Sequence, residues 1–189
     1  MPRTEEQFEE IREQKISLIM QTALELFAHE GYYPTSISRI AERAGISKGL
    51  MYNYFESKEE LILAIIEKGS RLLTEHLDPD HDGILTADEF EFFINENFRI
   101  LTENLDYWKL YFSTMMQPTV FKLVKKKFPH FLPPLKAVER FFQIKGIENP
   151  ALEAAFFDSM LDGVFLNYVM DPEGFPLESV RQMIIARYK

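Results

Sequence analysis

Asp78, Asp80 and Asp82 alternate along the chain, Gly83 follows, and Glu89 closes a twelve-residue stretch. Carboxylates at alternate positions ahead of a glycine are the donor set of a hard cation. Three side chains, the Ile84 carbonyl, Thr86 through a water and a bidentate Glu89 would complete the shell. Gly83 supplies the sharp turn and Leu85 an apolar plug, so the stretch carries the calcium-loop pattern at each required position. The oxygen set suits Ca²⁺ better than Mg²⁺, which demands near-octahedral geometry. A plainer reading stays open beside it. Asp82-Gly83 is a turn dipeptide and Thr86 with Glu89 is a capping box, so half of the pattern also serves to join two helices. Against that, three carboxylates within five residues repel one another without a cation or abundant water.

The second set of chemistry-bearing residues lies in 31–60. Ser36, Ser38, Arg39, Ser47, Lys48, Gly49, Tyr52, Asn53, Tyr54 and Lys58 place hydroxyls, an amide, phenols and cations on short helical segments. Short helices joined by a tight Gly-containing turn make a helix-turn-helix unit, whose second helix can enter a DNA major groove. Other chemistry finds little support. His29, His76, His81 and His130 are scattered without metal-ligand spacing, and there is no serine elbow and no glycine-rich phosphate loop. With no cysteine, disulfides, zinc–thiolate sites and cysteine nucleophiles are excluded. The chain is not expected to be an enzyme, and no cofactor is expected to be required; Ca²⁺ at 78–89 stays open as a candidate.

The elements that must position these residues are all helical. Ile16, Ile19, Met20, Ala23, Leu24 and Phe27 share one face of a helix over about 8–30 that stops at Gly31. Two short helices are expected near 36–44 and 47–55, separated by Gly45. Ile37, Ile40, Ile46 and Leu50 are expected to seal the core beneath them. Ser57 with Glu60 reads as a capping box opening a helix to about 77, and Thr86 with Glu89 as another, opening one over 86–101. A helix over 105–116 follows. The stretch 119–146 is broken by Pro129, Pro133 and Pro134, and Asn149-Pro150 starts a helix to about 170. Pro176 opens the last one. No period-2 alternation appears, so the predicted class is all-α: an N-terminal helix-turn-helix domain over 1–56 and a C-terminal helical bundle over 57–189.

Composition bounds the partners. The 189 residues carry a net charge of −9, which disfavours non-specific binding to nucleic acid. Locally the sign reverses, because 36–58 hold four cations (Arg39, Arg43, Lys48, Lys58) against Glu42 and Glu56. No apolar run reaches a membrane span and the N-terminus is too acidic for a signal peptide, so a cytoplasmic location is expected and no membrane partner.

The pattern Leu26-Phe27, Gly31, Thr35-Ser36-Ile37, Ile40-Ala41, Ala44 to Gly49, Tyr52, Tyr54-Phe55 and Ser57 to Leu61 resembles the DNA-binding signature of the tetracycline-repressor (TetR/AcrR) family. The resemblance covers residues 16–66. It implies a transcriptional regulator, acting as a repressor, that binds a double-stranded operator as a homodimer and is released by a small-molecule effector. In that family the positions matching Ser47, Lys48, Gly49, Asn53 and Tyr54 touch bases or phosphates, and those matching Tyr52 and Lys58 contact the phosphate backbone. The family also places an effector pocket in the C-terminal bundle and a dimerising helix pair at its end. Aromatic and methionine residues abound there, 17 Phe and 8 Met in the whole chain. Trp108, Tyr111, Phe112, Met115, Phe141, Phe157 and Phe165 are the expected pocket walls, for an apolar or amphipathic ligand. Phe156, Phe157, Met160, Val164, Met183 and Ile184 are the expected dimer face. A calcium-responsive regulator or sensor using 78–89 remains the alternative.

Overall fold

Hydroxyl and amide side chains start five of the helices. Ser36, Ser47, Ser57, Thr86 and Asn149 each accept a hydrogen bond from the backbone N–H three residues on, filling a donor that the first helical turn leaves open. The computed structural model describes residues 5–80, 82–127 and 133–188, and among these it is all-α. The elements are α1 (Glu5–Glu30), α2 (Ile37–Arg43), α3 (Lys48–Tyr52), α4 (Lys58–Thr74), α5 (Ala87–Glu103), α6 (Leu105–Met115), α7 (Pro118–Lys127), α8 (Pro133–Ile144), α9 (Pro150–Met170) and α10 (Leu177–Tyr188). His81, Pro129 and His130 lie outside the described residues.

By packing, the chain divides into two compact units. One holds Met1–Gly69 with Leu110–Pro129; the other holds Ser70–Lys109 with His130–Lys189. This division follows contacts rather than roles. It differs from a cut at 56 because α4 and α6 each run from one unit into the other.

In the first unit α1 packs on α2 and α2 on α3. Ile19, Ala23 and Phe27 of α1, Ile40 and Ala41 of α2, Met51 of α3, and Leu61, Ile62, Ile65 and Ile66 of α4 are all buried. One expectation is corrected here. Leu50 stands 36% exposed, while its neighbour Met51 is fully buried and supplies the apolar contact under α3. The helix is also shorter than expected. The N–H groups of Asn53 and Tyr54 donate to the carbonyls of Leu50 and Met51, three residues back, which tightens and ends it.

The second unit is built on aromatic rings. Phe90 of α5 stacks on Phe141 of α8 with centroids 4.7 Å apart and planes 9° from parallel. Phe142, Phe157 and Tyr188 close around the same Phe90 at 5.3 to 6.3 Å. Phe98 meets Phe165 edge-on, and the fully buried Trp108 donates its Nε1–H to the Ile100 carbonyl. Burying each ring contributes about 1.5–3 kcal/mol, so this cluster anchors the bundle. No helix among the described residues is long and apolar enough to cross a membrane.

Candidate nucleic-acid interface

Gly45 turns the chain from α2 towards α3 at φ 66°, a left-handed conformation that a side chain would strain. Its N–H and that of Ile46 donate to the carbonyls of Glu42 and Ala41, closing α2. Ser47 then caps α3 through the Leu50 N–H at 3.1 Å. The outcome is a short helix whose buried side rests on Met51 and whose other residues stay in water. Ser47, Lys48, Gly49, Tyr52 and Asn53 are exposed, and Tyr54 is half-buried. Tyr52, at 46% exposure, is therefore a surface phenol rather than a core one.

Gly49 is informative because nothing inside the fold needs it. A Cβ added there meets no atom within 4 Å. A residue that costs a helix stability and serves no internal packing leaves room for something outside. On α2, Ser36 is occupied as the cap and accepts from the Arg39 N–H, while Ser38 is exposed. The Arg39 guanidinium pairs with Glu30 at 3.6 Å and Glu42 at 3.5 Å, so part of its charge is already answered. Arg43 and Lys48 form no ion pair among the described residues and carry the free positive charge of this surface.

Lys58 has a different position from the one its sequence context suggests. Its ammonium donates to the carbonyls of Tyr32 (2.8 Å), Tyr33 (3.1 Å) and Thr35 (2.9 Å) and lies 4.4 Å from the centre of the Tyr32 ring. An ammonium has three donors, and all three are spent within the protein. Burial pushes the Lys58 pKa down and the Tyr32 phenol up. The side chain that was expected on a phosphate instead ties the turn between α1 and α2. Gln117 grips the same turn, and no motif or spacing in the sequence points to it. Its Oε1 accepts the Tyr32 N–H at 2.8 Å, and its Nε2 donates to the Phe27 carbonyl at 2.7 Å.

In the acidic loop the carboxylates of Asp78, Asp80 and Asp82 converge, each offering an oxygen within 4.8 Å of the others. Gly83 has φ 77° and Leu85 is buried, as the pattern requires. Each aspartate accepts a loop N–H: Asp80 from Asp82, Asp78 from Gly83, Asp82 from Ile84. The second Asp78 oxygen, Oδ1, is buried without a partner among the described residues. Glu89 is engaged elsewhere: its Oε2 accepts from both the backbone and the hydroxyl of Thr86, completing the capping box. The three aspartates are thus brought together. Among the described acidic residues, Glu89 is not part of that cluster.

Four of the seven expected pocket residues lie in the second unit. Phe141 and Phe157 belong to the packed ring cluster, Phe165 lies on Phe98, and Trp108 is sealed against Ile100. Tyr111, Phe112 and Met115 fall in the other unit. An open groove of about 690 Å³ in the second unit is lined by Asn95, Arg99, Tyr168, Phe175, Leu177 and Arg181 among others. Phe157 and Ile184 of the expected dimer face are likewise core residues. Leu152, Phe156, Met170 and Met183, each at least half exposed, form the apolar surface of α9 and α10.

Residues 19–65 match the family model of bacterial regulatory proteins, tetR family. The fatty acid metabolism regulator protein of Bacillus subtilis is 30% identical over 88 residues, 46% of this chain and 45% of that protein. The chain spans about half or less of the length of the curated relatives it matches. Solved structures share its fold over nearly its whole length. Fatty acid degradation regulator FadR from Bacillus halodurans has a TM-score of 0.72 at 19% identity, covering 91% of this chain and 93% of that one. The transcriptional regulator FadR from Bacillus subtilis, solved in complex with stearoyl-CoA, has a TM-score of 0.69 at 18% identity, covering 90% and 95%.

Proposed function

We propose that this chain is a transcriptional regulator that binds a double-stranded DNA operator as a homodimer, through α2 and α3 of each copy. The observation that carries this reading is the exposed row Ser47, Lys48, Gly49, Tyr52 and Asn53 on a capped helix fixed from below by Met51. A helix of that build enters a major groove with its N-terminal residues on base edges. Lys48 and Asn53 read bases; Ser38, Tyr52, Tyr54 and the Arg39–Arg43 pair meet phosphates. Lys58 positions the turn that holds α2. By role, 1–56 forms the DNA-binding domain and 57–189 the ligand-binding and dimerisation domain. Enrichment of DNA by the protein from a random-sequence pool tests the reading, and sedimentation tests the dimer. A monomer at all concentrations would remove the second copy.

Dimerisation is assigned to α9 and α10, whose exposed Leu152, Phe156, Met170 and Met183 suit a four-helix contact across a twofold axis. Release by a small apolar or amphipathic effector makes the regulator a repressor. A long-chain acyl compound is the effector class we favour, given the similar fatty acid regulators. Loss of operator binding on adding stearoyl-CoA would support it; unchanged binding with acyl-CoA and free fatty acid alike would remove that class.

A second reading concerns the loop at 78–89. The convergence of Asp78, Asp80 and Asp82, with the Asp78 Oδ1 buried and unpartnered among the described residues, favours Ca²⁺ there. Glu89 would leave its cap to complete the shell, joined by the Ile84 carbonyl and by Thr86 through water. At a concentration 100-fold above Kd, Ca²⁺ would stabilise the fold by about 2.7 kcal/mol. Calorimetry with millimolar Ca²⁺ decides it: no heat, with Asp80→Asn indistinguishable from wild type, reduces the loop to a capped turn.

A further inference from the structure

Phosphate contacts need cations, and α2 with α3, the DNA reader, offers few. The three Lys58 donors go to backbone carbonyls, and Arg39 is paired with Glu30 and Glu42. That leaves Arg43 and Lys48 on the reader of each copy, in a chain of net charge −9. Affinity for a duplex follows the number of phosphates neutralised, so two free cations per copy make a thin footprint.

Further positive charge stands on α7. Between Asp106 and Glu139 the sequence holds six lysines and no carboxylate. Four of them, Lys122, Lys125, Lys126 and Lys127, belong to α7, whose buried side is Val120 and Val124. Lys122, Lys125 and Lys126 are spaced i, i+3 and i+4, so they share the opposite, exposed side. None of the three forms an ion pair among the described residues. Phe121 lies beside them, with the Lys125 ammonium 5.2 Å from its ring centre.

α7 packs in the same compact unit as the reader. Gln117, the residue before it, is bonded to the Phe27 carbonyl and the Tyr32 N–H, so α7 starts beside the turn that leads into α2. Three lysines alone hold a polyanion weakly against so acidic a chain. On a duplex already held by α3 the contact becomes intramolecular, and its effective concentration is high. An anionic membrane fits less well, because the ring that would insert carries an ammonium over its face.

We propose that this side of α7 is a second phosphate-binding surface: Lys122, Lys125 and Lys126 neutralise backbone phosphates of the DNA that α2 and α3 hold. This rests on the DNA-binding reading above. Phosphates carry no sequence information, so the surface raises affinity without changing the site chosen.

The test uses the full-length protein and the duplex that wild type enriches from a random pool. Affinity is followed from about 50 to 200 mM salt for wild type and for Lys122→Gln/Lys125→Gln/Lys126→Gln. A control, Lys68→Gln/Lys109→Gln/Lys136→Gln, removes the same charge elsewhere. Each phosphate contact contributes about 0.9 to the slope of log affinity against log salt, and two copies bind. The α7 variant should therefore have a slope shallower by at least about 2 units. The control should keep the wild-type slope, and both should enrich the same site. Lys122→Arg/Lys125→Arg/Lys126→Arg keeps the charge and should keep the slope; a loss there overturns the proposal. So does an unchanged slope in the α7 glutamine variant, or an equal change in the control. If that variant instead loses binding to phosphatidylglycerol vesicles while its DNA slope stays intact, the face is a membrane surface and the proposal falls. Should the triple variant fail to fold, Lys122→Gln alone decides: a slope shallower by about 1.8 units supports the surface, and no change overturns it. Failure of wild type to enrich any DNA is a separate outcome: it defeats the DNA-binding reading, and this one with it.

Discussion

The turn from α2 to α3 and the loop from α4 to α5 use the same parts. Each has one glycine in the left-handed region, Gly45 at φ 66° and Gly83 at φ 77°, and each starts its next helix on a hydroxyl cap, Ser47 or Thr86. They differ in what lies beneath. Under the first, Ile40, Ala41 and Met51 are buried, so the fold rests on apolar contacts and the polar side chains are left unspent at the surface. Under the second, Leu85 is the buried apolar residue between Leu77 and Phe90, and one oxygen of each aspartate accepts a loop N–H group. A surface that is to meet a partner gains from being held by something other than its own polar groups. The reader has that support; the acidic loop holds itself.

The largest effect should come from removing that support. Met51→Ala should destabilise the first unit by about 2–5 kcal/mol, as other buried truncations of this size do, and abolish DNA binding. Leu50→Ala, one residue away, should stay within about 0.5 kcal/mol. Denaturant titration distinguishes the pair, and equal costs would break the assignment of inside and outside on α3. In the loop, Thr86→Ala removes the capping box and should cost about 1 kcal/mol. If the loop is held by its own polar groups, the midpoint should fall with α5 fraying first in hydrogen exchange. A silent substitution would show that the loop does not depend on them.

Gly49→Ala sharpens the contrast, because it should move stability and binding in opposite directions. The fold should gain about 0.5–1 kcal/mol, since the added methyl meets nothing and helix entropy improves. Binding to DNA should weaken, since the methyl then stands where the duplex approaches. Unchanged affinity would remove Gly49 from the interface. The smallest effect lies outside both connections. Burial, with Asp158 nearby, pushes the Asp162 carboxyl up to about 6. A carboxyl raised on folding binds more protons in the folded state, so stability falls as pH rises from the ordinary carboxylate range through about 6, and is level above it. Asp162→Asn should therefore raise the melting temperature at pH 7 and leave it unchanged near pH 4. The gain is small because Asp162 stands exposed on α9, where solvent screens the interaction.

How far the sequence could be read depends on the range of the forces involved. The caps at Ser36, Ser47, Thr86 and Asn149 and the turn at Gly45 act over three or four residues, and each stands where the local pattern puts it. Ser57 is a partial case. It accepts from the Glu60 N–H, but Glu60 accepts in return from Glu56 rather than from the cap itself. Leu50 and Met51 were interchangeable to a periodicity argument, because a five-residue helix is too short to fix its own buried side. Pattern alone does not separate pocket from core, since a phenylalanine at helical spacing serves either; Phe141 and Phe157 are packed against other rings. The acidic loop was legible as a pattern, but Glu89 serves two geometries and the capping one is adopted here. Gln117 was invisible because its partners are 85 and 90 residues away.

The central claim is that α3 reads DNA in duplicate, and selection from a random-sequence duplex pool tests it most directly. Wild type should enrich a twofold-symmetric site whose half-sites are about one helical turn apart, roughly 34 Å. Lys48→Ala and Asn53→Ala should each relax preference at their own positions by about 1–3 kcal/mol, while the melting temperature barely moves. No enrichment by wild type, or an enriched site that both variants recognise unchanged, would contradict the account.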